Sequence, residues 1–205
     1  IAMGQAATAL DSSGIAIGAE SQALGGNSTA IGSAATSRTI SVEYESATST
    51  TVIAINGIPV EATSSTAGSQ DINNLTITSI NGVDVTTNPA LYSQFLSALQ
   101  SGASVALGEN SFAAGTSTLA VGDSSVALGD SAVAGANNST AIGHAASSSG
   151  SASAALGNSA SATGSASTAL GSSSTASGSE SVAVGSGAQA LTQSSVSIGD
   201  QAGVG

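Results

Sequence analysis

Apolar and polar positions alternate along most of the chain in units of seven residues. A short apolar unit closed by glycine recurs eleven times between Ile1 and Gly199. Examples are Ile1-Ala-Met-Gly4, Ile15-Ala-Ile-Gly18, Thr29-Ala-Ile-Gly32, Val126-Ala-Leu-Gly129, Thr140-Ala-Ile-Gly143 and Val182-Ala-Val-Gly185. Within each block the units stand 14 residues apart. A weaker, polar unit lies between them, as in Ser161-Ala-Thr-Gly164 and Thr175-Ala-Ser-Gly178. A strict short period marks a solenoid. Fourteen residues are too few for a helical repeat, so each coil is read as two short strands and two tight turns. Glycine and the Asp, Asn or Ser after it are assigned to the turns.

The size of the side chains gives the faces. Strand residues point alternately to opposite sides. The residue two before the glycine is small in nearly every unit: Ala16, Ala30, Ala127, Ala141 and Ala183 in apolar units, Ala23, Ala113, Ala162 and Ala176 in polar ones. Such a position lines the inside of a very flat coil. Its neighbours then point outward. Ile15, Ile17, Ile31, Val126, Leu128, Ile142, Leu156, Leu170, Val182, Val184, Val196 and Ile198 make one continuous apolar stripe. Ser161, Thr163, Thr175 and Ser177 belong to an opposite, hydroxyl-rich face. A stripe of that length exceeds what a monomer leaves in water, and burial against identical copies around an axis is the simplest way to cover it.

Composition narrows the function. Most of the 40% hydrophobic content is Ala; there is no Trp, and only two Phe and two Tyr, too little for an ordinary globular core. The net charge is −11 with a single Lys or Arg, which excludes nucleic acid and anionic membrane surfaces as partners. Without Cys there are no disulfides or thiolate metal sites. No apolar run reaches the length of a membrane-spanning helix. The chain starts in mid-repeat with no signal peptide and reads as part of something longer.

The repeats Asn27-Ser-Thr-Ala-Ile-Gly32 and Asn138-Ser-Thr-Ala-Ile-Gly143, with the close variants Ser125-Val-Ala-Leu-Gly129 and Ser181-Val-Ala-Val-Gly185, resemble the N-S-V-A-I-G motif of YadA-like head domains of trimeric autotransporter adhesins. The resemblance covers 1–37 and about 103–205. It implies an all-β, left-handed parallel β-roll, a homotrimer with the apolar stripe as its core, and display on a Gram-negative cell surface, anchored in the outer membrane by a part outside this segment. It further implies attachment to collagen, fibronectin, laminin, other cells or abiotic surfaces, and autoagglutination. No cofactor is implied. Asn27, Ser28, Asn138 and Ser139 join Ser161, Thr163, Thr175 and Ser177 as ligand-surface candidates.

The repeat stops at Arg38 and resumes near Ser104, dividing the chain into 1–37, an insertion at 38–103, and 104–205. In the insertion, Thr51–Ile55 and Leu75–Ile80 read as strands, each running into Asn-Gly (Asn56-Gly57 and Asn81-Gly82), the dipeptide favoured in two-residue hairpins. A helix is expected from Asn88 to Gly102, with Leu91, Phe95, Leu96 and Leu99 as its apolar face. The insertion is thus expected to be a small α+β unit, with Tyr44, Tyr92 and Phe95 as recognition candidates. The phase of the roll breaks just after it. Counting by sevens, Gly122 and Gly129 both close apolar units, so one apolar strand must lie on the polar side. Continuity with later coils puts Val105, Leu107, Leu119 and Val121 there, and the insertion is expected to fold back over them.

Candidate chemistry is sparse. His144 stands alone in a turn. Glu109, Asp123, Asp130 and Asp200 are widely spaced and are read as turn caps. No nucleophile, base and acid share a scaffold, so no catalytic or metal residue is assigned and binding, not catalysis, is expected. Two other classes compete: a structural spacer in a trimeric fibre such as a phage tail fibre, and an ice-binding solenoid. The irregular mixture of Ser, Ala and Thr in the polar units counts against the second.

Overall fold

The computed structural model describes residues 1–10, 13–33, 42–46, 49–55, 58–69, 75–80, 83–84 and 103–203. The described residues form strands and turns only, in three sheets, and none of them forms a helix able to cross a membrane.

The first sheet is parallel and ten-stranded. It contains β1 (Ala2–Met3), β3 (Ile15–Ile17), β5 (Thr29–Ile31), β12 (Phe112–Ala114), β14 (Val126–Leu128), β16 (Thr140–Ile142), β18 (Ala154–Leu156), β20 (Thr168–Leu170), β22 (Val182–Val184) and β24 (Val196–Ile198). The second, nine-stranded, contains β2 (Thr8–Ala9), β4 (Gln22–Ala23), β11 (Val105–Ala106), β13 (Leu119–Ala120), β15 (Val133–Ala134), β17 (Ser147–Ser148), β19 (Ser161–Ala162), β21 (Thr175–Ala176) and β23 (Gln189–Ala190). The chain alternates between them, and each strand pairs in parallel with the one 14 residues on, as Ala141 does with Ala155. This is a β-solenoid with 14-residue coils. Nine of the eleven apolar units fall in the first sheet; Val105–Gly108 and Leu119–Gly122 fall in the second.

Alternation fixes the interior. Ala16, Ala30, Ala113, Ala127, Ala141, Ala155, Ala169 and Ala183 are wholly buried from the first sheet, and Ala23, Ala106, Ala120, Ala162 and Ala176 from the second. With only methyl groups between them the two sheets close to a flat coil. The corners inside are lined by small hydroxyl or Ala residues. Ser111, Ser139 and Ser153 each donate a hydroxyl to the carbonyl three residues back, at 2.6 Å, so the buried polar group is satisfied within its own turn.

The turns hold the glycine and the residue after it, and the structure adds which residue carries the left-handed backbone. At Gly143–Ala146 the Ala146 N–H donates to Gly143 O at 3.3 Å, and the residue with left-handed φ is Ala145 (54°), the third of the turn, as type II geometry demands. The glycine opens the turn. It is needed because coils approach closely: at φ +132°, a Cβ on Gly143 would lie 2.4 Å from Gly157 O. Left-handed non-glycine residues recur every seven positions, among them Ala145, Ala152, Ser159, Ala166 and Ser173. Each strained corner is offset by the stack, for Ala145 N–H donates to Asp130 O of the preceding coil at 2.8 Å. We expect Gly143→Ala to cost about 2–3 kcal/mol, since it adds a clash with backbone to an unfavourable φ; the midpoint of thermal or denaturant unfolding measures it.

Strand pairing also shows how the roll accommodates the insertion. Thr29 pairs with Phe112 and Gln22 with Val105, in each case 83 residues on where 14 is the rule. The chain leaves after β5 and returns as β11, and the roll continues in register across a gap of 69 additional residues. Between them β6 (Val42–Tyr44), β7 (Thr51–Ile55), β8 (Ile58–Ser64), β9 (Leu75–Ile80) and β10 (Val83–Asp84) form an antiparallel sheet ordered β10-β9-β8-β7-β6. Two-residue links join β7 to β8 and β9 to β10, at the two Asn-Gly sites, with Ile55 opposite Ile58 and Ile80 opposite Val83. The Asn-Gly residues and the expected helix at 88–102 lie outside the described residues. The described part of the insertion is all-β.

Candidate binding surfaces

The third sheet lies on the outer face of the second. Its inward residues Val42, Val52, Val60, Ala62, Leu75 and Ile77 form one buried cluster with Leu24, Ala103, Val105, Leu119, Val121 and Val133 of the roll, and Tyr44 and Leu107 pack against it. Val105 and Leu119, on the outer side of the second sheet, are fully buried by this cover, whereas the side chains inside the roll are almost all Ala or Ser. The expected cover over the phase break is therefore present. Leu24 and Val133 extend it by one coil on either side: Val133 stands fourteen residues after Leu119 and pairs with it, a position the coil period gives directly, whereas Leu24 stands next to Ala23, which pairs with Ala106 across the insertion, a neighbour that no fixed count along the sequence reaches. Burying a large aliphatic side chain contributes roughly 1.5–3 kcal/mol, so this contact is a large hydrophobic asset in a chain otherwise filled with methyl groups. The insertion's outward residues are polar: Thr51, Glu61, Thr63, Thr76 and Thr78 are exposed. With Val52, Val60 and Ala62 they line a shallow hollow of about 310 Å³.

The apolar candidates all sit at the first or third position of strands in the first sheet. Ile15, Val126, Ile142, Leu156, Val182 and Val184 are half-buried, and Ile17, Ile31, Leu128, Leu170, Val196 and Ile198 are exposed. Leu128 and Leu170, in the middle of the roll, remain 43% and 44% exposed. The stripe is thus open over its length in the single chain.

The hydroxyl candidates separate. Ser161, Thr163, Thr175 and Ser177 lie on the outer side of the second sheet, half-buried to exposed, beyond the coils that the insertion covers. Asn27 and Asn138 are exposed at corners, with φ of 54° and 58°. Ser28 and Ser139 are a correction: both are wholly buried. Each stands two residues before an interior Ala, so the same alternation turns it inward, and the Ser139 hydroxyl is spent on Ala136 O. Tyr44 is half-buried, and its hydroxyl donates to Ser69 O at 2.6 Å, which makes it part of the insertion's packing. Tyr92 and Phe95 lie outside the described residues.

Stacking brings corner residues 14 apart into contact. The Asp123 carboxylate accepts from Glu109 N–H at 2.9 Å, and Asn137 Oδ1 from Asp123 N–H at 3.0 Å, so Asp123 caps a turn in the coil before its own. His144 has neighbours that its sequence surroundings conceal. Its Nε2 is 3.8 Å from Asp130 Oδ2, and Asn158 Nδ2 is 3.4 Å from its Nδ1. Both partners of the Asp130 pair are more than half exposed, and an ion pair so solvated contributes little. No group of three potential metal ligands occurs among the described residues.

These features define a β-solenoid with an open apolar face and an opposite face that is hydroxyl-rich except where a small sheet covers it. A family model for the YadA head domain repeat (two copies) matches residues 1–21, 12–35, 102–125, 120–146 and 176–202, together just over half of the chain. The chain belongs to the YadA head family. The matches leave out 36–101 and also 147–175, where the coils continue without a break. No curated protein shows significant sequence similarity to the chain.

Proposed function

We propose that the chain is the head of a trimeric surface adhesin, displayed by a Gram-negative bacterium and attaching it to host matrix such as collagen, fibronectin or laminin. The observation that carries this is the open stripe on the first sheet, in a chain of the YadA head family. The stacked strands present one row of bulky aliphatic residues, from Ile17 to Ile198 and broken at Ala114, beside a second row that mixes Ile and Val with Thr, and a narrow Ala-filled coil offers nothing to cover them. Three copies packed through this face around one axis bury both rows. The second sheet and the insertion, 38–103, then face outward and form the contact surface.

The test has two parts. Light scattering on the purified chain is expected to give three times its 19.0 kDa mass. Solid-phase binding to collagen, fibronectin and laminin is expected with the intact chain and to weaken when the outward Thr63, Thr76 and Thr78 are replaced together by Lys. A spacer role is supported by the uniformity of the coils from β16 to β24, whose outward residues vary little. Trimers that bind none of the three proteins would favour it.

A further inference from the structure

One coil departs from the rule that the others follow. In the eight other three-residue strands of the first sheet the third position carries a side chain at least as large as the first: Thr29 and Ile31, Val126 and Leu128, Ala154 and Leu156. In β12 the order is reversed. Phe112 stands first and Ala114 third, both half-buried in the single chain and both on the outward side of the same strand, with Ala113 wholly buried between them. This is also the strand at which the roll resumes its first sheet after the insertion, paired on one side with β5 and on the other with β14.

We infer that Phe112 and Ala114 form the key that sets the axial register of the assembly: Phe112 of each copy fills the space above Ala114 of the next. The inference rests on the trimer reading and adds to it. Cyclic symmetry has no rise along its axis, so a coil meets the same coil of its neighbours. The contact is head-to-tail, so the first-position edge of one face meets the third-position edge of the next. Elsewhere such a contact brings a small or medium residue, Ala154 the smallest, against Ile, Leu or Val. A chain slipped by one coil, about 4.8 Å, finds nearly the same partners. Periodic apolar faces specify register weakly for this reason, as uniform coiled-coil seams do until a single odd residue breaks the degeneracy. At β12 slippage is not neutral. It drives Phe112 against Ile31 or Leu128 and leaves a void over Ala114. The inversion thus costs nothing in register and penalises each alternative.

Register can be read by disulfides, because the chain has no cysteine of its own. The pair Thr140→Cys with Ile142→Cys links neighbouring copies at the same level. The pair Thr140→Cys with Leu156→Cys links them only when one is slipped by a coil; within a chain these two Cα atoms are about 8 Å apart, beyond the reach of a disulfide. Oxidised chains with the Phe112 and Ala114 pair intact are expected to give covalent oligomers with the first pair and monomers with the second. In the background Phe112→Val with Ala114→Leu, which restores the common pattern, the second pair is expected to cross-link as well. Ala114→Leu alone is expected to lower the melting temperature by about 5 °C through overpacking, and adding Phe112→Val to recover most of it. A trimer whose slipped pair stays uncrosslinked in that background would overturn the key alone. A monomeric protein by light scattering would overturn the trimer and the key together.

Discussion

Replacing Ala169 by Leu is expected to split the stack at the coil that carries it. Ala169 is fully buried at the centre of β20, with Ala162 and Ala176, equally buried, on the facing sheet. Three further carbons have no rotamer that avoids the opposite wall, and the walls cannot part without losing inter-coil hydrogen bonds such as Thr168 N–H to Ser181 O at 2.8 Å. Overpacking in ordinary cores costs about 1–3 kcal/mol; here the cost is expected at the top of that range or above it. A solenoid is held by contacts between neighbours, so the loss weakens coils on both sides. Thr175→Leu, beside the equally buried Ala176 but pointing outward from the second sheet, places the same side chain on the surface and is expected to leave the melting curve almost unchanged. Circular dichroism on the two variants checks the contrast, and equal behaviour would contradict a methyl-lined interior.

That interior was legible before any coordinates, because the same demand recurs in every coil: a position that accepts only Ala through unit after unit has no space for more. Much of the insertion's placement was legible for a related reason. Val105, Leu107, Leu119 and Val121 break a phase that the rest of the chain keeps, and only burial explains bulky residues on the polar side. Other points were hidden. The glycines read as turn formers because turns are where glycine is usual; that Gly143 is excluded from carrying a Cβ by Gly157 of the next coil depends on stacking, which sequence neighbours do not show. The left-handed corner is filled by Ala145, Ser159 or Glu180, residues with no common signature. Ser28 and Ser139 share a corner with the exposed Asn27 and Asn138, yet the alternation that puts Ala30 and Ala141 inside the coil turns them inward as well. The Asp130–His144–Asn158 column needed the coil to bring together residues far apart in sequence.

Removing residues 35–103 is expected to leave the roll folded but unable to stay dispersed. The excision takes out 69 residues, the length by which the pairing of Thr29 with Phe112 exceeds one coil. It joins Ala34 to Ser104, puts Gly108 seven residues after Gly32, and sets Ala34 seven after Asn27, at a corner type that Ala145 and Ala166 fill elsewhere. The strand signal per residue in circular dichroism is therefore expected to persist. The cost falls on the second sheet. Leu24, Val105, Leu107, Leu119, Val121 and Val133 lose their cover and form a contiguous apolar patch of a kind that drives association. Light scattering is expected to show aggregates well beyond the oligomer of the intact chain. Giving the bared positions the character of later coils, with Leu107→Thr, Leu119→Ser and Val121→Thr after the model of Ser161 and Thr163, is expected to restore a single species. An excised chain that stays dispersed without these changes would mean that the cover is dispensable.

The bonds that join one coil to the next run along the length of the rod, since N–H groups of the strands reach carbonyls of a neighbouring coil, as Gly143 N–H does Leu128 O and Gly157 N–H does Ile142 O. In the adhesin role proposed above, a cell tethered through such a rod would pull in the direction of those bonds. Tension then opens the rod from its loaded end a coil at a time, and each coil that yields pays out 14 residues, about 45 Å of extended chain. The same regularity that makes a coil so short when folded turns it into a reserve of slack, released in equal steps, by which an attachment of the proposed kind would lengthen under load before it lets go.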